Sequence, residues 1–226
     1  MLKLALGLSL SNIKNMGGWK PTDEASLVAW YQNKVGITLN GSDVSQWADS
    51  STNSRNMVQA TATEQPAYNA STGDLTFVSA DTNNLQTTSQ ISMANAFTIG
   101  IKFFPTAFNN TVIADNTTSN EFFKLTSSSR LAVKIDGSTK NMDLDSGTFG
   151  DDEIILTRTA AGLMTLLHNG VAQSATQTLT GTTDIDTIGV RKTDVNPYAG
   201  VISEIQIYSD TSAALTSYVR DYLAAI

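Results

Sequence analysis

The stretch AFTIGIKFF, residues 96–104, decides how this chain is read. Phe97, Ile99, Ile101 and Phe103 alternate with Thr98, Gly100 and Lys102. A period of two puts the four large apolar side chains on one face of a β-strand, whereas a helix would scatter them around its circumference. The same pattern recurs downstream. RLAVKID (130–136) turns Leu131, Val133 and Ile135 inward and Arg130, Lys134 and Asp136 outward. Asp136-Gly137 then supplies a hairpin turn, and NMDLD (141–145) returns with Met142 and Leu144. DEIILTRT (152–159), LMTLLHNG (163–170), DTIGV (186–190) and GVISEIQIY (200–208) read as further strands. Turn signals recur about every 8 to 12 residues, the spacing of an all-β sandwich or barrel.

The two ends differ from this body. In DTSAALTSYVRDYLAAI (210–226), Leu215, Tyr218, Val219, Tyr222, Leu223 and Ile226 fall at helical spacing, and Asp210, Thr211 or Ser212 can cap the start. One short C-terminal helix is expected, laid against the sandwich. At the other end, MLKLALGLSL sets Leu2, Leu4, Leu6, Leu8 and Leu10 on one face of an amphipathic strand; a leader remnant or an unstructured tail are the alternatives. That leucine face pairs either with its own sheet or with a neighbouring subunit. SNIKNMGGWKPTD (11–23), with Gly17-Gly18 and Pro21, reads as a connector. Residues 1–24 are therefore expected to form an arm and connector, and residues 25–226 one sandwich domain.

Composition narrows the function. With 226 residues the chain is long enough for one domain with a substantial core. Charged residues make up 15% and hydrophobic residues 41%, and the net charge of −7 at pH 7 repels a polyanion, so nucleic acid is not an expected partner. Cysteine is absent, which excludes disulfides and thiolate metal sites. No apolar run reaches the roughly 20 residues of a membrane-spanning helix. The single histidine, His168, stands beside the Asn169-Gly170 turn on a face with Met164 and Leu166; without a partner motif its reading is structural. No nucleophile elbow, phosphate loop or dinucleotide glycine motif occurs.

Several motifs, in order over roughly residues 25–226, resemble the concanavalin A-like lectin/glucanase superfamily in its laminin-G-like branch. LVAWYQNKVGITLNGSDVSQWADSS carries a Trp strand (Trp30) followed by a Val-x-x-Trp-x-Asp-x-Ser turn, here Val44, Trp47, Asp49 and Ser51. LTFVSADTNNLQTT keeps Phe77, Asp81 and Leu85, with Val78-Ser79 replacing the usual Asp-Gly. TRTAAGLMTLLHNGVAQ resembles the family hairpin, and YAGVISEIQIYSD its closing strand. The resemblance implies an antiparallel jelly-roll β-sandwich that binds glycans, binds proteins, cleaves polysaccharides or serves as a structural module on cell and virus surfaces.

Cleavage would need two carboxylates about 5 to 5.5 Å apart for a retaining mechanism. The family pattern that supplies them, Glu-x-Asp-x-x-Glu or Glu-x-Asp-x-Glu, is absent, and Asp143/Asp145 is the nearest substitute. No enzyme activity is expected. The resemblance also implies calcium at one rim; Asp115, Asp184, Asp186 and Asp194 are the candidates, although their spacing demands no metal, and no other cofactor is expected. Phe104, Phe108, Asp194, Asn196 and Tyr198 are the candidate glycan-contact residues. The main expectation, by analogy with bacteriophage virion components, is a non-enzymatic capsid decoration or head/tail appendage protein. It would assemble in the host cytoplasm as a homo-oligomer and dock on a major capsid or tail protein through Leu2, Leu4, Leu6, Leu8, Leu10 and Trp19. The alternative is a secreted or surface carbohydrate-binding module.

Overall fold

The computed structural model describes residues 18–118 and 122–226. The leucine arm, Leu2 to Leu10, lies outside the described residues. Strand β8 (Phe97–Pro105) is central: β18 (Gly200–Tyr208) lies along one side and β13 (Asp152–Arg158) along the other, all antiparallel. β14 (Leu163–His168) extends this layer beyond β13, with the short β15 (Val171–Ala172) and β16 (Gln177–Thr178) on it. On the far side of β18 lie β1 (Leu27–Tyr31) and β6 (Asp74–Phe77).

The second layer runs β12 (Ser138–Asp143), β11 (Arg130–Ile135), β10 (Phe122–Ser127), β9 (Asn110–Ala114), β17 (Thr183–Ile188) and β7 (Leu85–Met93). It continues through β4 (Met57–Val58), β3 (Asp43–Trp47) and β2 (Ile37–Asn40). β5 (Ala67–Asn69) pairs with both β3 and β6 and so joins the layers. The result is an all-β jelly-roll sandwich with one short C-terminal helix, as expected.

The alternating residues do what their spacing predicts. Phe97, Ile99, Ile101 and Phe103 from one layer meet Leu131, Val133, Ile135 and Met142 from the other in one buried core. Each such side chain, fully buried, contributes about 1.5–3 kcal/mol. Asp136-Gly137 and Asn169-Gly170 both have positive φ at both positions (47° and 79°, 48° and 72°), the backbone of a type I′ hairpin turn. The Val-x-x-Trp-x-Asp-x-Ser motif is structural: Asp49 accepts from Trp30 N (2.9 Å), Ser51 N (2.8 Å), Ser51 Oγ (2.7 Å) and Arg55 N (3.0 Å), tying the β3 exit to β1. Arg158 is buried against the Phe97 ring (4.9 Å) and donates to the carbonyls of Met93 (3.0 Å), Asn95 (2.7 Å) and Gly181 (2.9 Å).

Three boundaries are corrected. The strand read as DTIGV begins at Thr183, because Thr183 and Ile185 pair with Met93 and Ile91 of β7. Helix α1 spans Ala213–Leu223, capped by Ser212 Oγ accepting from Leu215 N at 3.1 Å; Ile226 lies past its end and is exposed. Trp19, placed with a free assembly arm from sequence, instead stacks on Tyr218 of α1 (5.4 Å between centroids), meets Tyr222 edge-on and donates Nε1 to Glu24 (2.9 Å). Residues 18–24 thus pack on the body, because a tryptophan next to an aromatic helix face is better buried than exposed.

Helix α1 sits on the outer face of β8, where Leu215, Val219 and Leu223 bury against Ile155 and Tyr208. Gly100 makes this possible: a Cβ there would fall 2.5 Å from Val219 Cγ1 and 2.9 Å from Leu223 Cδ1. Gly100→Val is expected to destabilise the protein by about 1–3 kcal/mol through overpacking, and Ser212→Ala by about 1 kcal/mol through loss of the cap. Urea denaturation of the two variants against the parent protein measures both.

Candidate functional site

The inner faces of both layers are filled, so a ligand must be met on an outer face or a rim. Register fixes what the outer face of the first layer offers. Across the strands, Tyr208, Thr98 and Thr157 form one row, Gln206, Gly100 and Ile155 the next, then Glu204, Lys102 and Glu153, and last Val201 and Phe104. Helix α1 covers the Gly100 row. Beyond its C-terminal end a cleft of about 460 Å³ is left open around Lys102, Phe104 and Val201, lined also by Asn33, Asp74, Asp151 and Ser203, with Thr72 and Ile226 completing the wall.

A local irregularity shapes the cleft. Ile202 pairs with Phe103 but Glu204 pairs with Lys102, so Ser203 is an extra residue in β18. Such a bulge re-aims a side chain without breaking the sheet. Ser203 Oγ donates to Asp74 Oδ1 at 2.5 Å, and Ser203 O accepts from Asn33 Nδ2 at 3.4 Å. Asn33 is held further by Nδ2 to Thr72 O (3.2 Å) and by its backbone N–H to Glu204 Oε2 (3.1 Å). Lys102 stands 3.8 Å from both Asp151 Oδ1 and Glu153 Oε2. Phe104 is 43% exposed, an aromatic ring presented to water among these polar groups.

Glu204 lies behind the cleft, in cross-strand register with Lys102. It is fully buried and accepts from Trp30 Nε1 (2.7 Å) and Gln206 Nε2 (2.8 Å) as well as from Asn33. Burial pushes its carboxyl above the usual range, and these hydrogen bonds only partly offset that.

Of the glycan-contact residues expected from sequence, the structure brings only Phe104 into this cleft. Tyr198 is a correction: it is fully buried, edge-on to Phe77 at 5.9 Å, with its hydroxyl donating to Val201 O at 3.1 Å. Phe108 packs against the core. Asp194 and Asn196 lie in the 191–197 loop, with positive φ of 56° and 54°; Asn196 O accepts from Thr111 N at 2.8 Å. Sequence reasoning missed Asn33, Asp74, Lys102, Asp151 and Ser203. A signal existed for two of them: Lys102 is the charged outward residue of β8, and Ser203-Glu204 interrupts the alternation of the closing strand.

The other candidates resolve into structural roles. Asp143 is bound to Arg130 at 2.5 Å, and that guanidinium holds its carboxyl below the usual range. Asp145 accepts from Ser174 N (2.8 Å) and Oγ (2.5 Å). The pair therefore does not supply the acid and base of a glycosidase. Asp115 and Asp186 come together around the Asn116–Thr118 turn, where Asp186 accepts from Asn116 N (2.6 Å) and Thr117 Oγ1 (2.9 Å), and burial raises its carboxyl. Asp115 accepts from Thr117 N (2.8 Å) and Gln90 Nε2 (3.2 Å). Among the described residues no group of three His, Cys, Asp or Glu converges. His168 Nε2 lies 2.9 Å from Asp152 Oδ2, with its ring edge-on to Phe149 at 5.6 Å.

No family model matches the sequence, and no curated protein matches it. Solved structures do. Domain 4 of AbnA, a GH43 extracellular arabinanase from Geobacillus stearothermophilus solved with arabinotriose, is 17% identical with a TM-score of 0.57, covering 89% of this chain and 99% of that one. The binding domain of Paraclostridial Mosquitocidal Protein 1 is 13% identical with a TM-score of 0.61; the match covers 91% of this chain and 53% of that one. A heptameric SAP-like pentraxin from Limulus polyphemus follows at 12% identity and a TM-score of 0.49, covering 62% of this chain and 75% of that one. At these identities the likeness is one of fold.

Asp152 gives a pH-dependent prediction. Burial raises its carboxyl, but hydrogen bonds from His168, Gly150 N and Asn169 outweigh burial and leave it lowered. A carboxyl lowered in the folded state stabilises above its unfolded pKa, and that contribution disappears as pH falls through the folded value. Asp152→Ala is expected to lose about 1–3 kcal/mol at neutral pH, with the deficit shrinking in acid. Denaturation of both proteins across that range checks it.

Proposed function

We propose that this chain is a carbohydrate-binding module whose ligand lies in the cleft headed by Phe104, and that it binds without cleaving. The observation that carries this reading is the exposed Phe104 ring beside Asn33, Asp74, Lys102 and Ser203. A sugar ring has an apolar C–H face and a hydroxyl rim. An aromatic ring stacks on the first, and carboxylate, amide and ammonium groups hydrogen-bond the second. The likeness in fold to an arabinanase domain solved with arabinotriose supports the same reading. On this reading the protein works outside the cell, where polysaccharides are met. Virion attachment rests on analogy with phage components and on an arm of which Leu2, Leu4, Leu6, Leu8 and Leu10 lie outside the described residues, while Trp19 packs on Tyr218 and Tyr222 of the same chain.

Phe104→Ala is expected to weaken oligosaccharide binding about tenfold or more while leaving the melting temperature unchanged, since the ring contributes little to the core. Calorimetric titration of a panel of neutral oligosaccharides, with affinity electrophoresis in polysaccharide gels, tests this. Retention of full affinity in the variant would move the site elsewhere, and failure of the parent protein to bind any glycan would end the reading.

A further inference from the structure

The charges around the cleft carry the reading one step further, to the class of glycan. Among the described residues Lys102 is the one cationic side chain lining it. It is already committed, standing between Asp151 and Glu153 in front and in cross-strand register with Glu204 behind. Its side chain is 17% exposed, whereas that of Asp151 is 80% exposed. Asp74, which lines the cleft, accepts from Ser203 through Oδ1. Asn33 has its Nδ2 engaged with Thr72 O and Ser203 O. What the cleft offers an incoming molecule is therefore mostly hydrogen-bond acceptors and negative potential.

We infer that the cleft selects neutral, hydroxyl-rich oligosaccharides and rejects glycans bearing carboxylate or sulfate. The inference rests on the proposed function of the same site. Hydroxyl groups bring the donors that Asp74 and Asp151 accept, and they require no counter-charge. A sialic or uronic acid brings another carboxylate toward two that are only partly balanced by Lys102, and the net charge of −7 adds to the repulsion at long range. Substituting Asp151 and Glu153 releases Lys102 to pair with an anionic ligand.

The test titrates the full chain calorimetrically with neutral probes (arabinotriose, xylotriose, cellotriose) and anionic probes (sialyllactose, trigalacturonate), at low and high salt. At least one neutral probe is expected to bind at least about tenfold more tightly than either anionic probe, with the gap narrowing in salt. The double variant Asp151→Asn/Glu153→Gln is expected to close that gap by about tenfold. If the double variant does not fold, Asp151→Asn alone, at a solvated side chain, is expected to give part of the same effect. Anionic probes that bind as tightly as neutral ones, and lose affinity in Phe104→Ala, would overturn the inference while leaving the carbohydrate-binding reading intact. A gap unchanged in the variants would overturn it as well. Failure of every probe, neutral and anionic, would overturn the proposed function itself.

Discussion

Strand β8 has both edges and both faces occupied, and the remaining architecture follows from how its nine residues meet those four demands. Its edges hydrogen-bond β18 and β13. Its odd residues fill the space between the layers. Its even residues must be tolerated by whatever covers the outer side, and they grade along the strand from Thr98 through Gly100 to Lys102 and Phe104. The small residue admits the helix. The large ones beyond it do not, so the helix stops short and the sheet is left open there. The cleft is the uncovered remainder of a face whose centre is used for stability.

Buried polar groups are satisfied both by backbone and by other side chains. Arg158 meets carbonyls rather than a carboxylate, and Asp49 organises the β1–β3 region through three backbone amides and a serine hydroxyl. Glu204 is tied to the surface indirectly. It is a buried carboxylate held by Trp30, Gln206 and the backbone of Asn33, and Asn33 forms part of the cleft wall. Burying such a group is costly unless its lone pairs are satisfied. Here one of the satisfying donors, the Asn33 backbone N–H, belongs to a residue of the cleft wall, so the buried carboxylate and the groove's edge are linked through Asn33.

Legibility differed sharply between the framework and the site. The strands around Phe97, Leu131 and Ile205, the two Asx-Gly turns and the C-terminal helix could all be read directly, because each is set by local spacing or by a turn that only certain residues adopt, whereas the choice of Ser212 over Asp210 and Thr211 as the cap was made by the structure. Tyr198 and Phe108 could not be told from exposed aromatics, because loop residues carry no period that assigns them to a face. Trp19 looked free because its partners, Tyr218 and Tyr222, are some two hundred residues away in sequence. The Ser203 bulge left a trace, two polar residues in succession within GVISEIQIY, but its effect depends on the register with Phe103 and Lys102.

The amino-acid sequence alone determined the all-β class, the inward faces of the regular strands and the absence of a glucanase acid motif, since alternation and turn chemistry act over a few residues. Which outward residues share a surface was decided only by the tertiary structure. Asn33, Asp74, Lys102, Phe104 and Ser203 come from four separate strands and connections, and what places them side by side is cross-strand register, a bulge and the end of a helix, none of which any one segment encodes.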